Sequence, residues 1–309
     1  MRLSLPPALP EGDFVAPEDP SNTDDPRDRY TRSYLLIRTV VGAIGIGLPI
    51  AFIVGEAFIA RGVHFRGSIS AYYHSPMHDV FVGGLWVIAF LLIMYLSGGQ
   101  GADRRLDRPL STVAGVLLLV VVFFPTGRPG IPDGAPLCGD TPSPIPGCST
   151  FQHQFGETFV ATMHYIAAGL FVITLALICF YWASRDVAKR EKEAADRGDT
   201  VSKRALWRSG RARVHTICGI LIVLGLAWIA LRIEIWELTP LYVGEVVAVW
   251  SFGSAWLFSA WKLWREALPA ALKGQSAEAP ARRALRSKLH SHHENPLVPR
   301  DKRGSRHPR

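Results

Sequence analysis

The sequence predicts an all-α fold: a polytopic transmembrane bundle of six spans with the N and C termini in the cytoplasm. Two observations carry this. Apolar runs close to the ~20 residues needed to cross a bilayer recur along the chain, at about 34–60, 79–98, 109–127, 157–183, 213–232 and 241–264. Lys and Arg then alternate between the loops that join these runs. Mean hydropathy is only +0.17 over 309 residues because polar ends dilute an apolar middle.

Short loops rich in Lys and Arg stay in the cytoplasm. Loop 184–213 holds Arg185, Lys189, Arg190, Lys192, Arg197, Lys203, Arg204, Arg208, Arg211 and Arg213, and turn 99–108 holds Arg104, Arg105 and Arg108. The opposite loops are poor: Arg61 and Arg66 in the first, Arg128 alone in 128–156. The net charge of +8 therefore reads as topology and as attraction to anionic membrane lipids. It does not read as nucleic-acid binding, because no folded basic module is visible. The expected location is the cell (inner or plasma) membrane.

Residues 1–32 are rich in Pro, Asp and Asn, have no apolar period, and are expected to be a disordered cytoplasmic arm. Span one places Gly42, Gly45, Pro49 and Glu56 on one face at steps of three and four, the small residues that let helices approach closely in lipid. Span two follows SPMHD, where Ser75 reads as an N-cap and Pro76 as the first helical residue. Span three ends at Pro125 and Gly127. The next loop, rich in Pro and Gly, carries Cys138 and Cys148, ten residues apart, and these are expected to form an external disulfide. Span four ends at Trp182, and the charged, helix-prone REKEAADR continues it into the cytoplasm. Cys179, in span four, and Cys218, in span five, read as small packing residues. Span six carries Trp250, Trp256, Trp261 and Trp264. The basic tail 265–309 contains HSHHE at 290–294.

Ionisable groups inside a membrane are expensive and are functional candidates for that reason. Here they gather on the outer side: Glu56 at the end of span one, His74, His78 and Asp79 at the start of span two, Glu157 opening span four, and Glu245 opening span six. His164 lies seven residues after Glu157, on the same face and roughly 10 Å deeper. Only His215 stands out on the inner side. The reading is an outward-facing polar site formed by His74, Asp79, Glu157, His164 and Glu245. Plainer roles stay open: Asp79 serving its helix N-terminus or pairing with Arg66, Glu56 pairing with Arg61, Glu245 pairing with Arg232, and Ser70 bonding the loop backbone.

The segments SISAYYHSPMHDVFVG, FFPTG, MHYIAAGLF and EVVAVWSFGSAW resemble a family of bacterial six-span integral membrane proteins over residues 33–264. That resemblance implies the fold and carries no activity. Separately, Ser70-Ala-Tyr-Tyr-His74 resembles the Ser-x-x-x-His of the alkaline ceramidase and adiponectin-receptor superfamily of membrane hydrolases. The chain departs from that superfamily in having six spans rather than seven and no late His pair at i and i+4. The resemblance implies a zinc ion held by His74, with Ser70 supporting and Asp79 as orienter or base. A catalytic zinc needs three N or O ligands and an open position for water. His74, His164 and Asp79 or Glu245 would supply the ligands, and the remaining carboxylate would be the base in cleaving a lipid amide or ester. As a binding site instead, Tyr73, Glu157, His164 and Glu245 would hold a lipid headgroup or a small molecule. A transporter is the third reading, and it fits less well because no ionisable group is expected at mid-depth.

Overall fold

The computed structural model describes residues 26–59, 61, 65–95, 106–207, 210–234, 238–261 and 264–265. Most of the expected arm, and the tail with HSHHE, lie outside them. The regular elements among the described residues are all helices, with no strand. Helix α1 spans Pro26–Ile59, and a short 3-10 helix spans Ser70–His74. Then follow α2 (His78–Ile93), α3 (Asp107–Phe123), α4 (Thr150–Phe155), α5 (Glu157–Asp196), α6 (Lys203–Trp207), α7 (Gly210–Leu231) and α8 (Pro240–Trp261).

Each expected span overlaps one helix of 16 residues or more, with boundary shifts that have physical causes. Helix α1 begins at Pro26, ahead of the start expected near 34, because proline at the first helical position gives up no hydrogen bond. Helix α5 runs unbroken for 40 residues, about 60 Å, since nothing in REKEAADR interrupts it. Four helices are long and apolar enough to cross a membrane: Leu35–Ile59 within α1, and α5, α7 and α8. Helices α2 and α3, at 16 and 17 residues, are shorter than a perpendicular crossing requires.

Close backbone approach holds the bundle. Lipid tails are as apolar as the helix surfaces, so association rests on packing and on interhelical hydrogen bonds. A Cβ at Gly42 would stand 2.9 Å from the carbonyl oxygen of Gly253, which fixes the α1–α8 contact on the small-residue face expected for span one. A Cβ at Gly115 would stand 2.6 Å from the carbonyl oxygen of Ala89, fixing α3 on α2. Trp256 is fully buried in the core, while Trp250, Trp261 and Trp264 are exposed. The four therefore do not share one interfacial role.

Candidate functional site

The polar end of the bundle is organised by three carboxylates, Glu157, Glu56 and Glu245, and by the broken end of α3. Helix α3 stops at Phe123 because Pro125 has no N–H and pushes its neighbour out of helical geometry. Every helix end leaves carbonyls unpaired, and Pro125 specifically removes the donor that the Val121 carbonyl would have had. His164, only 2% exposed, fills that gap. Its Nδ1 lies 3.1 Å from the Val121 oxygen and 2.7 Å from the Phe124 oxygen. Carbonyls only accept, so the ring proton sits on Nδ1. The Thr126 carbonyl, one step further, accepts from His74 Nε2 at 2.8 Å and from Gln152 Nε2 at 3.0 Å. FFPTG is thus a hub of backbone acceptors that joins α3 to the 3-10 helix, α4 and α5.

Glu157, 4% exposed, anchors the loop that follows FFPTG. Its carboxylate accepts from the backbone N–H of Arg128 at 2.6 Å and of Cys138 at 3.0 Å. It also accepts from Arg128 Nε at 3.1 Å and Nη2 at 3.0 Å. The Cys138–Cys148 disulfide, with Cα atoms 5.8 Å apart, closes this loop as expected. Ser149 and Gln152 form a reciprocal capping box at α4.

On the other side, Glu56, fully buried, pairs with Arg66, whose Nε donates at 2.8 Å. Glu245 accepts the Ile69 N–H at 2.6 Å and so seats the start of the 3-10 helix, with the Ser70 N–H also directed at it. The first carboxylate holds an arginine side chain, and the second holds loop backbone.

Between these supports opens a cleft of about 670 Å³, lined by Arg66, Tyr73, His74, His78, Arg128 and the 147–150 loop. The Tyr73 ring packs edge-on against His74 and His78, 5.0 and 4.4 Å between centroids. His78 is fixed by Nδ1 donating to the Tyr73 carbonyl at 2.6 Å. Burial holds the His74 imidazole below its ordinary value, against the pull of the Thr126 carbonyl and Glu157, so the ring is neutral near pH 7. The unfolded chain takes up this proton near pH 6.5, before the folded chain does. The His74 contribution to stability is therefore full above about pH 6.5 and declines as pH falls below it. His74→Gln is expected to flatten the loss of unfolding midpoint between about pH 7 and pH 5, and equal slopes in both proteins would contradict this.

Several expected roles are corrected. Asp79 is exposed and, among the described residues, makes no hydrogen bond or ion pair. Arg66 pairs with Glu56 instead, and Arg61 and Arg232 do not take the partners expected for them. Ser75 does not cap α2, whose N-cap is Met77. Its hydroxyl donates to the Tyr72 carbonyl at 2.7 Å and accepts the Met77 N–H at 3.0 Å, which turns the chain into the helix. Ser70 is buried at the head of the 3-10 helix, where its backbone is what meets Glu245.

A three-ligand zinc site does not fit these residues. His74 and His164 each keep one lone-pair nitrogen, but Asp79 points elsewhere, and the Glu157 and Glu245 carboxylates are occupied by N–H donors. Among the described residues, no three His, Cys, Asp or Glu side chains are placed to hold a metal.

Sequence reasoning missed Arg66 and Arg128 in the cleft and the fully buried Gln152 beside it. It also missed a polar group at the other end of the bundle. There Arg38, 7% exposed, lies 4.4 Å over the Trp182 ring and donates from Nε to the Tyr95 hydroxyl at 3.0 Å. Buried Asp107 pairs with Arg185 and accepts the Trp182 indole N–H at 2.9 Å. The available signal was an Arg inside an apolar run and an Asp opening one. Comparison of the chain with protein-family models, with curated proteins and with solved structures finds no match.

Proposed function

We propose that the chain is a six-span protein of the inner or plasma membrane, of the six-span bacterial type it resembles, whose outward cleft binds a phosphate-bearing lipid headgroup. The observation that carries the binding role is the pair of arginines in the cleft. Arg66 and Arg128 are each anchored by a buried carboxylate through Nε and Nη2. Among the described residues, Nη1 of each makes no hydrogen bond. An anchored guanidinium with spare donors is prepared to grip phosphate oxygens, and the volume suits a headgroup.

The topology has its own support. The disulfide belongs in an oxidising compartment, and the long basic segment after α5 belongs in the cytoplasm. Helices α2 and α3 complete six spans if their ends reach the interface through the residues that flank them. The binding reading is tested by titrating detergent-purified full-length protein with short-chain phosphatidylglycerol and with phosphatidylcholine of equal chain length. The expected result is saturable binding of one lipid per chain with about tenfold preference for the anionic headgroup. Equal affinity for both lipids would overturn it.

A further inference from the structure

A second cavity, of about 370 Å³, lies at the other end of the molecule, where the last turns of α5 meet α6 and the start of α7. Asp186, on its wall, is roughly 44 Å along α5 from Glu157 at 1.5 Å per residue, so this cavity and the outer cleft are separate. Its rim carries four cations, Lys189, Arg190, Arg197 and Arg211, against two carboxylates, Asp186 and Glu193. The floor is apolar, where Leu206 packs on Val187 and Ala212.

Two of these cations are loosely paired, while Arg197 Nε donates to Asp199 at 3.2 Å. Arg211 Nε stands 3.6 Å from Asp186, and Lys189 Nζ stands 3.7 Å from Glu193. Both separations exceed hydrogen-bond length, so these cations keep donors for another acceptor. The Arg190 guanidinium lies beside Gly210, which has φ +59, where a Cβ would collide with it. Asp186 has an alternative partner, since its Oδ2 is 3.3 Å from Nδ1 of buried His215, whose Nε2 is 2.7 Å from Ser259 Oγ. The carboxylate can keep that contact while Arg211 turns to a ligand.

We propose that this cavity binds a phosphate-bearing anion, with Arg211 and Lys189 gripping the phosphate oxygens and Arg190 and Arg197 adding charge at the rim. Two sources share this chemistry: a soluble phosphate compound, and the phosphomonoester headgroup of a lipid such as phosphatidic acid. The site is distinct from the outer cleft and does not depend on the reading given to it.

The test is hydrogen exchange read by mass spectrometry on full-length protein in nanodiscs, with inorganic phosphate as the soluble probe. The expected result is saturable protection confined to residues 186–214, leaving 66–78 and 126–150 unchanged. Arg211→Gln should weaken it about tenfold, and Lys192→Gln, the same charge change on an exposed neighbour outside the cavity, should move it less than about twofold. Protection present in phosphatidic acid nanodiscs without added phosphate, and absent in pure phosphatidylcholine, supports the site and assigns a lipid ligand. Protection that needs added phosphate in both membranes supports the site and assigns a soluble one. No local protection under any of these conditions overturns the proposal, as does an equal effect of Arg211→Gln and Lys192→Gln, which would mean diffuse charge rather than a site.

Discussion

Glu157→Ala is expected to destabilise the protein by about 3–5 kcal/mol, the usual cost of stranding one member of a buried ion pair. The carboxylate does more than balance Arg128. It is the shared acceptor for two backbone N–H groups, one at each end of the loop segment that runs from FFPTG to the disulfide. Removing it leaves those donors unpaired and leaves a largely buried guanidinium with only the Pro136 carbonyl, and each buried donor left unmade adds to the loss. The conservative Glu157→Gln keeps one acceptor oxygen and should lose less. Denaturant unfolding of detergent-solubilised protein measures both. A loss below about 1 kcal/mol for the alanine variant would mean that the disulfide alone organises this loop.

The second large effect belongs to His164. His164→Ala is expected to cost about 2–4 kcal/mol, because it opens a cavity and leaves the buried Val121 and Phe124 carbonyls without their donor. His78→Ala should cost under about 1 kcal/mol, since that ring is half-buried and makes a single bond to the Tyr73 carbonyl. The cause assigned to the larger effect makes a sharper demand. If His164 stands in for the N–H that Pro125 lacks, Pro125→Ala restores a donor and lets α3 extend. In that background His164→Ala should cost less than it does alone. A double-mutant cycle reads the coupling directly, and strictly additive losses would remove Pro125 from the explanation.

The positions of the helices were legible because lipid imposes a length and an apolar composition on any crossing segment, and six such runs stand out. The disulfide was legible from two cysteines in an outer loop with little else to order it. The small-residue face of α1 was legible as well, since Gly42 meets Gly253 where the spacing implied a close contact. The partners of the ionisable groups were not. Depth along a helix can be counted from sequence, but direction around it depends on neighbours that are distant in the chain. The nearest arginines, Arg61 and Arg232, were natural partners for Glu56 and Glu245 by proximity. Both instead sit just beyond helix ends with left-handed backbones, at φ 54 and φ 52, and are exposed. Asp79 failed for the same reason: it lies at the expected depth but faces outward. His164 was placed correctly in the interior, yet its reason lay in Pro125, 39 residues earlier, which reads locally as nothing more than a helix stop.

The account rests most on the outer cleft as an anion-binding site, and the most direct measurement separates charge from folding there. Glu56→Gln together with Arg66→Gln replaces the buried ion pair by an uncharged amide pair and strands no charge, so the doubly substituted protein should keep its fold. Its retention of short-chain phosphatidylglycerol, read by native mass spectrometry beside the parent protein, should fall about tenfold, while retention of phosphatidylcholine stays unchanged. A folded double variant that holds the anionic lipid as tightly as the parent would contradict the assignment and return the cleft to a purely structural role.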